Sequence, residues 1–182
     1  MPTTRFHRGL ATLVLGLWSC AAAVAQTPGG DPLAASRGAL LDTAGVAAAV
    51  VGGEIYVPAH SSLLAGDGRA RIDFAVTLSV HNVSQARPLV LDRLDYFDGS
   101  GRLVQSYLAA PVAVRPFGTV EIFVAKSDVR AGTGANFVVG WHADGAIAEP
   151  LAEAVMIGDF ANQSYSFVSR GQRIEVVPAP RR

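Results

Sequence analysis

Residues 71–84 read RIDFAVTLSVHNVS, and the alternation inside that stretch decides the class of fold. Ile72, Phe74, Val76, Leu78 and Val80 alternate with Asp73, Ala75, Thr77, Ser79 and His81. Successive side chains of a strand point to opposite faces, so a period of two puts one face on a core and the other toward polar surroundings. It reads as a half-buried strand.

The same texture continues on both sides. Upstream, EIYVPA (54–59) is a short strand bounded by Pro58. Downstream, PLVLDRLDYF (88–97) shifts parity near Asp92-Arg93, the mark of a bulge. Asp98-Gly99-Ser100-Gly101 is a turn, because Asp-Gly and Ser-Gly supply positive φ at little cost, and RLVQSYL answers as the return strand. TVEIFVAK and ANFVVGWHA alternate again, with Phe137, Val139 and Trp141 on one face and Val138, Gly140 and His142 on the other. AEAVMIGDF is apolar at both parities and fits a buried strand or a helical turn. YSFVS, a turn at Gly171 and RIEVV read as a closing hairpin. No strand–helix–strand period occurs. The spacing predicts an all-β domain over residues 53–177, a single antiparallel β-sandwich, immunoglobulin-like in outline, of about seven or eight strands. Residues 178–182 read as a frayed tail.

Ahead of the domain the composition changes. Residues 26–52 are rich in Ala, Gly and Pro and show no alternation, so they read as a flexible tether. Residues 1–25 read as a signal peptide. Arg5 and Arg8 precede a short apolar run, Leu10 to Trp18, and Ala23-Val24-Ala25 has the small-x-small form of a cleavage site. The expectation is an exported, periplasmic protein. The alternative is a lipid anchor at Cys20, since Leu17-Trp18-Ser19-Cys20 approximates a bacterial lipobox with a bulky Trp18 inside it. Beyond Cys20 the chain holds no cysteine, which excludes a disulfide, a thiolate metal site and a cysteine nucleophile in the domain. Without Arg5 and Arg8, thirteen basic residues face fifteen acidic ones. That balance argues against nucleic-acid partners and against a polybasic membrane contact, and no span is expected in the mature chain.

Motifs with possible chemistry are few. AGTGANFVVGW (131–141) lacks the third glycine and following helix of a dinucleotide loop and the Gly-Lys-Ser/Thr of a phosphate loop. It reads as a turn feeding a strand, with Asn136 capping the turn, or as a ligand loop at one end of the sandwich. His60, His81 and His142 show no local metal spacing. In an immunoglobulin-like order, however, the strands ending at His81 and His142 run the same way, so both imidazoles approach one end and form a candidate metal or small-ligand site. Asp92 and Asp95 are expected to pair with Arg93 or Arg102. Either Glu149 or Glu153 is expected to be partly buried near VMIG. No GxSxG elbow or SxxK pair surrounds the serines, no catalytic constellation is visible, and no cofactor is implied.

Several stretches carry a resemblance: EIYVPAHS, VTLSVHNVS, LDYFDGSGRLVQSYLAAPV, GTGANFVVGW, EPLAEAVMIG and SFVSRG, in that order. Together they resemble the bacterial domain-of-unknown-function family DUF3124, over about Glu54 to Ile174. Its most specific pieces are Gly134 to Phe137 with Trp141, and Glu153 to Gly158. The resemblance implies a small exported or lipid-anchored envelope protein and brings no activity with it. Asp159-Phe160 departs from the small polar residues expected there. The texture of Val76 to Leu103 is also similar to water-stress and late-embryogenesis sandwich domains, a likeness of pattern only. These readings converge on a non-catalytic envelope binding or assembly module, with Asn136, Trp141 and Glu153 as ligand-binding candidates and an envelope protein or small ligand as partner. The alternative is a periplasmic metal or small-ligand carrier using His81 and His142.

Overall fold

The computed structural model describes residues 30–174. The expected leader with Cys20, the first residues of the expected tether and the tail at 178–182 lie outside that span. Twelve strands occur among the described residues: β1 (Leu40–Leu41), β2 (Val51–Pro58), β3 (Ser62–Ala65), β4 (Ala70–His81), β5 (Leu89–Phe97), β6 (Leu103–Ser106), β7 (Val112–Val114), β8 (Thr119–Val124), β9 (Asn136–Ala143), β10 (Leu151–Phe160), β11 (Gln163–Arg170) and β12 (Gln172–Ile174). They form two antiparallel sheets. One has seven strands in the order β1-β7-β5-β9-β2-β12, with β6 on the side of β5. The other has five, β11-β10-β4-β3, with β8 also on β4.

The all-β sandwich follows from the alternation. Phe74, Val76, Leu78 and Val80 of β4 point inward, as do Val120, Ile122 and Val124 of β8 and Ala154 and Met156 of β10. They meet Ile55 and Val57 of β2, Leu91, Leu94 and Tyr96 of β5, and Phe137, Val139 and Trp141 of β9. AEAVMIGDF is a strand, β10, paired with β4 from Leu151–His81 to Gly158–Phe74. The strand count exceeds the expected seven or eight because short pieces such as β1, β3 and β7 carry too few residues to show a period. The pairs β4–β8 and β5–β9 fit an immunoglobulin order, but β10 joins β4, and β2 takes the place beside β9.

Two local expectations need correction. Gly171 does not close a hairpin. β11 pairs with β10 in the five-stranded sheet, β12 pairs with β2 in the seven-stranded sheet, and Gly171 is the single residue on which the chain crosses between them. Its N–H donates to the Ala152 carbonyl at 2.8 Å. The stretch 26–52, read as a tether, is built into the domain from Asp31 onward. Leu33 is buried in the core, the buried Ser36 hydroxyl accepts the Glu121 N–H at 2.8 Å, and β1 pairs with β7. Its alanine-rich composition hid these anchors.

Other local readings hold. Pairing of β5 with β9 slips between Leu91 and Arg93, which places a bulge at Asp92. Residues 98–101 form the β5–β6 turn, with Gly101 at φ 79°. The Asp98 carboxylate there accepts bonds from Ser100 N and Oγ and from Arg102 N and Nε, at 2.6–3.1 Å. The Ser100 hydroxyl first, then the Arg102 N–H, holds this carboxyl down to about 2. A folded-state value below the unfolded one stabilises the fold above the unfolded pKa of about 4 and loses that contribution as pH falls through about 2. Asp98→Ala is therefore expected to lower Tm at neutral pH. The gap to the unsubstituted chain should close as thermal melts are taken down through that acid window. Asn82 is also structural: it is buried and donates to the Arg87 and Val114 carbonyls at 2.9 and 3.0 Å.

Candidate functional site

Three regions hold the residues singled out from sequence. The first is the end of the sandwich where AGTGANF runs. Gly132 adopts φ 68°, and its carbonyl accepts from Ser61 N and Oγ, both at 3.2 Å. The His60 Nδ1–H donates to the Thr133 carbonyl. A Cβ on Gly134 would lie 2.7 Å from the Gly99 Cα, so the two turns touch backbone to backbone. Asn136 is buried at the start of β9 and bonds the Gly134 carbonyl at 3.4 Å. Beneath the turn Phe137 stacks on Tyr96 with centroids 4.6 Å apart and tilts against Tyr107 at 6.1 Å. Burial pushes both phenols above their ordinary range, and the Arg130 guanidinium holds Asp128 below its own. The Asn136 side chain is engaged within the turn through the Gly134 carbonyl.

The second region is the outer face of the seven-stranded sheet. A Cβ on Gly140 would come within 2.5 Å of Asp92 Oδ1 and 2.8 Å of Arg93 Cβ. Glycine there lets the bulged β5 side chains lie across β9. Arg93 donates to Glu54 at 2.6 Å and to Asp95 at 2.8 Å, and its guanidinium sits 5.6 Å above the Phe97 ring. The His142 Nδ1–H donates to Asp92 at 3.0 Å. Asp95 pairs with Arg93 as expected, while Asp92 takes His142 and Arg102 takes Asp98. These charges are paired with one another. Exposed pairs of this kind contribute little to stability.

The two histidines do not meet. His81 shares the outward parity of Ser79 and Thr77 on β4 and is hydrogen-bonded to Thr119 Oγ1 at 3.0 Å. His142 shares the outward parity of Gly140 and Val138 on β9. One imidazole lies on the outer face of each sheet, with the core between them, and packed sheets stand about 10 Å apart. Among the described residues no three His, Cys, Asp or Glu side chains come together as a metal site. The expectation of a shared His81–His142 site failed because period two says which face of a strand a residue is on, and both are outer faces. Trp141, a second ligand candidate, faces inward and is 4% exposed, its indole edge beside Gly53 and the Arg173 side chain.

The third region is the outer face of the five-stranded sheet, and sequence reasoning reached it only through Glu153. Directly opposed residues of antiparallel strands share a face. Val168 opposes Val155, Val155 opposes Thr77, and Thr77 opposes Phe123, so one row crosses β11, β10, β4 and β8. Val168 is 55% exposed and Phe123 46%. The neighbouring row holds Ile157, 57% exposed, between Ser166 and Ala75. On the other side Glu153 lies between Arg170 and Ser79, with Glu121 beyond, and is half-exposed. Glu149 is exposed, with Arg173 at 3.8 Å. Glu153 is thus the partly buried glutamate expected beside VMIG, and Glu149 is not. The signal that pointed here was AEAVMIGDF itself, apolar at both parities. One parity is core; the other is this surface.

The edges of this sheet differ. Along β8, Ser36 takes up the Glu121 N–H, so residues from the N-terminal segment cover that side. Along β11, no strand of the described residues pairs beyond it.

A family model described as "Protein of unknown function (DUF3124)" matches residues 52–174. No curated protein matches the chain. A solved structure titled "Crystal Structure of Thermotoga maritima 1070" is 8% identical, with 66% of this chain and 92% of that chain covered and a TM-score of 0.39.

Proposed function

The chain belongs to the DUF3124 family, and from that premise we propose that it is an exported, non-catalytic binding or assembly module of the bacterial envelope. The observation that carries this reading is the outward row Val168–Val155–Thr77–Phe123 with Ile157 beside it. Contiguous apolar surface rimmed by charge marks an interaction site, and here the rim is Glu153, Glu121 and Arg170. The opposite outer face, with its charges paired internally, offers no comparable surface. Support for export comes from Arg5 and Arg8 ahead of the apolar run Leu10 to Trp18 and from Ala23-Val24-Ala25. Retention at the envelope by a lipid on Cys20 is the variant of the same proposal.

Site-specific photo-crosslinking in a bacterial host that exports the chain tests it. A photoreactive residue at Phe123 or Ile157 is expected to give discrete adducts in the envelope fraction. One at Tyr56, on the other sheet, is expected to give none. Equal labelling from both faces, or no adducts from either, overturns the proposal.

A further inference from the structure

Among the described residues β11 is an edge strand with none of the usual protection. It runs eight residues, Gln163–Arg170, and pairs with β10 without a register shift. It contains no proline and no lysine, and its one charge, Arg170, is at the end. Natural sheets blunt such edges with charge, proline, bulges or cover, because the free N–H and C=O groups recruit another strand. The hairpin that presents it is rigid: Ala161 (φ 47°) and Asn162 (φ 63°) make a two-residue turn with both central residues left-handed, the type whose twist matches its strands.

We infer that β11 pairs antiparallel with β11 of a second copy of this chain, about a two-fold axis at Ser166, joining the two five-stranded sheets into one. This rests on the binding-module reading and names its partner. With the axis perpendicular to the sheet, outward residues oppose outward residues, and the Ser166 register pairs the strand from Gln163 to Ser169. Val168 then faces Ser164 of the other copy, so the outward apolar row reaches the seam and is bounded there by Ser164 and Asp159 of the partner copy. On the inner side, Tyr165 faces the other copy's Phe167 and Phe167 its Tyr165. Tyr165 is 38% exposed in the single chain, and cross-strand aromatic pairs are among the stabilising ones. The Arg170 end of each β11 meets the hairpin end of the other, where Asp159 and Lys126 are already paired at 2.7 Å, and no like charges oppose one another along the paired strands. A closed two-fold contact of this kind is the commonest form of homo-oligomer.

Sedimentation velocity on the purified chain tests the inference, with Ser166→Lys and Ser166→Glu as variants. Ser166 is exposed, so both variants are expected to fold, which circular dichroism and Tm will show. The unsubstituted chain is expected to sediment as a dimer. Each variant places like charges face to face on the axis and is expected to weaken dimerisation by at least about tenfold. An equimolar mixture of the two should restore the dimer. A monomeric unsubstituted chain, or variants that dimerise as it does, overturns the β11 pairing. If face-specific crosslinks to another protein persist with a monomeric chain, the binding-module reading stands and this pairing falls. If the β11 dimer forms and Phe123 and Ile157 give no adducts, the pairing stands and the face is not the binding surface.

Discussion

Phe137→Ala is expected to remove about 3–5 kcal/mol of stability, the range for deleting a buried aromatic ring, and to lower Tm by roughly 10–15 °C. Phe137 is fully buried and stacks on Tyr96 at 4.6 Å. The ring is the floor on which the Gly132–Asn136 turn rests, so its loss leaves a cavity and also frees the turn. Urea unfolding followed by tyrosine and tryptophan fluorescence measures the effect, with Phe137→Leu as the variant that keeps part of the volume. A Phe137→Ala domain within 1 kcal/mol of the original would mean that the turn is loosely attached and that the sequence's other reading, a ligand loop, deserves a search for its ligand.

Gly171→Ala is the second large effect. A Cβ there would come within 2.5 Å of Ile55 Cγ2 and 3.0 Å of both Val57 Cγ2 and the Ala152 carbonyl. The backbone has little room to give, because the Gly171 N–H is itself bonded to Ala152 O and strands in different sheets are anchored on either side of it. Overpacking of this kind costs about 1–3 kcal/mol, and a site clamped on both sides belongs at the top of that range. Gly38→Ala is the control: nothing lies within 4 Å of a Cβ there, and its effect is expected within about 0.5 kcal/mol. If the two substitutions prove equally mild, the crossing is wider than its geometry indicates.

Much of the fold was legible because strand periodicity is a local property. Alternation alone set the core face of β4, separated the two faces of β9 and marked β8 as a strand. The bulge at Asp92 showed as a break in parity, and the turn at 98–101 as its glycines. What periodicity does not encode is which sheet a strand joins. β11 and β12 look like a hairpin because one glycine separates them, yet Gly171 is packed too tightly against Ile55 to serve as a loop, a fact visible only once β2 is in place. His81 and His142 both showed as outward residues, and only the assembled sheets put them on opposite sides of the molecule. The apolar outer face escaped for a related reason. It is shared by four strands, and each adds only one or two apolar residues at the outward parity: Phe123 stands between Ile122 and Val124 in β8, and Val168 follows Phe167 in β11. The N-terminal segment was misjudged because Leu33 and Ser36 act singly, and one anchor in an alanine-rich stretch leaves no period to read.

The crossing at Gly171 also fixes when the domain can be finished. β12 closes onto β2, so the seven-stranded sheet joins the second strand of the described residues to the last. β2 pairs as well with β9, far along the sequence. Folds dominated by such distant pairings pay loop closure before any contact rewards it and assemble slowly, on a scale of milliseconds to seconds. A chain emerging from the ribosome, or from a pore, holds β2 unpaired until residues 136–143 are out, and leaves its other edge open until residues 172–174 follow. During that interval it is a client for whatever holds unfolded chains apart, and aggregation in that interval depends more on the delay than on the stability of the finished sandwich.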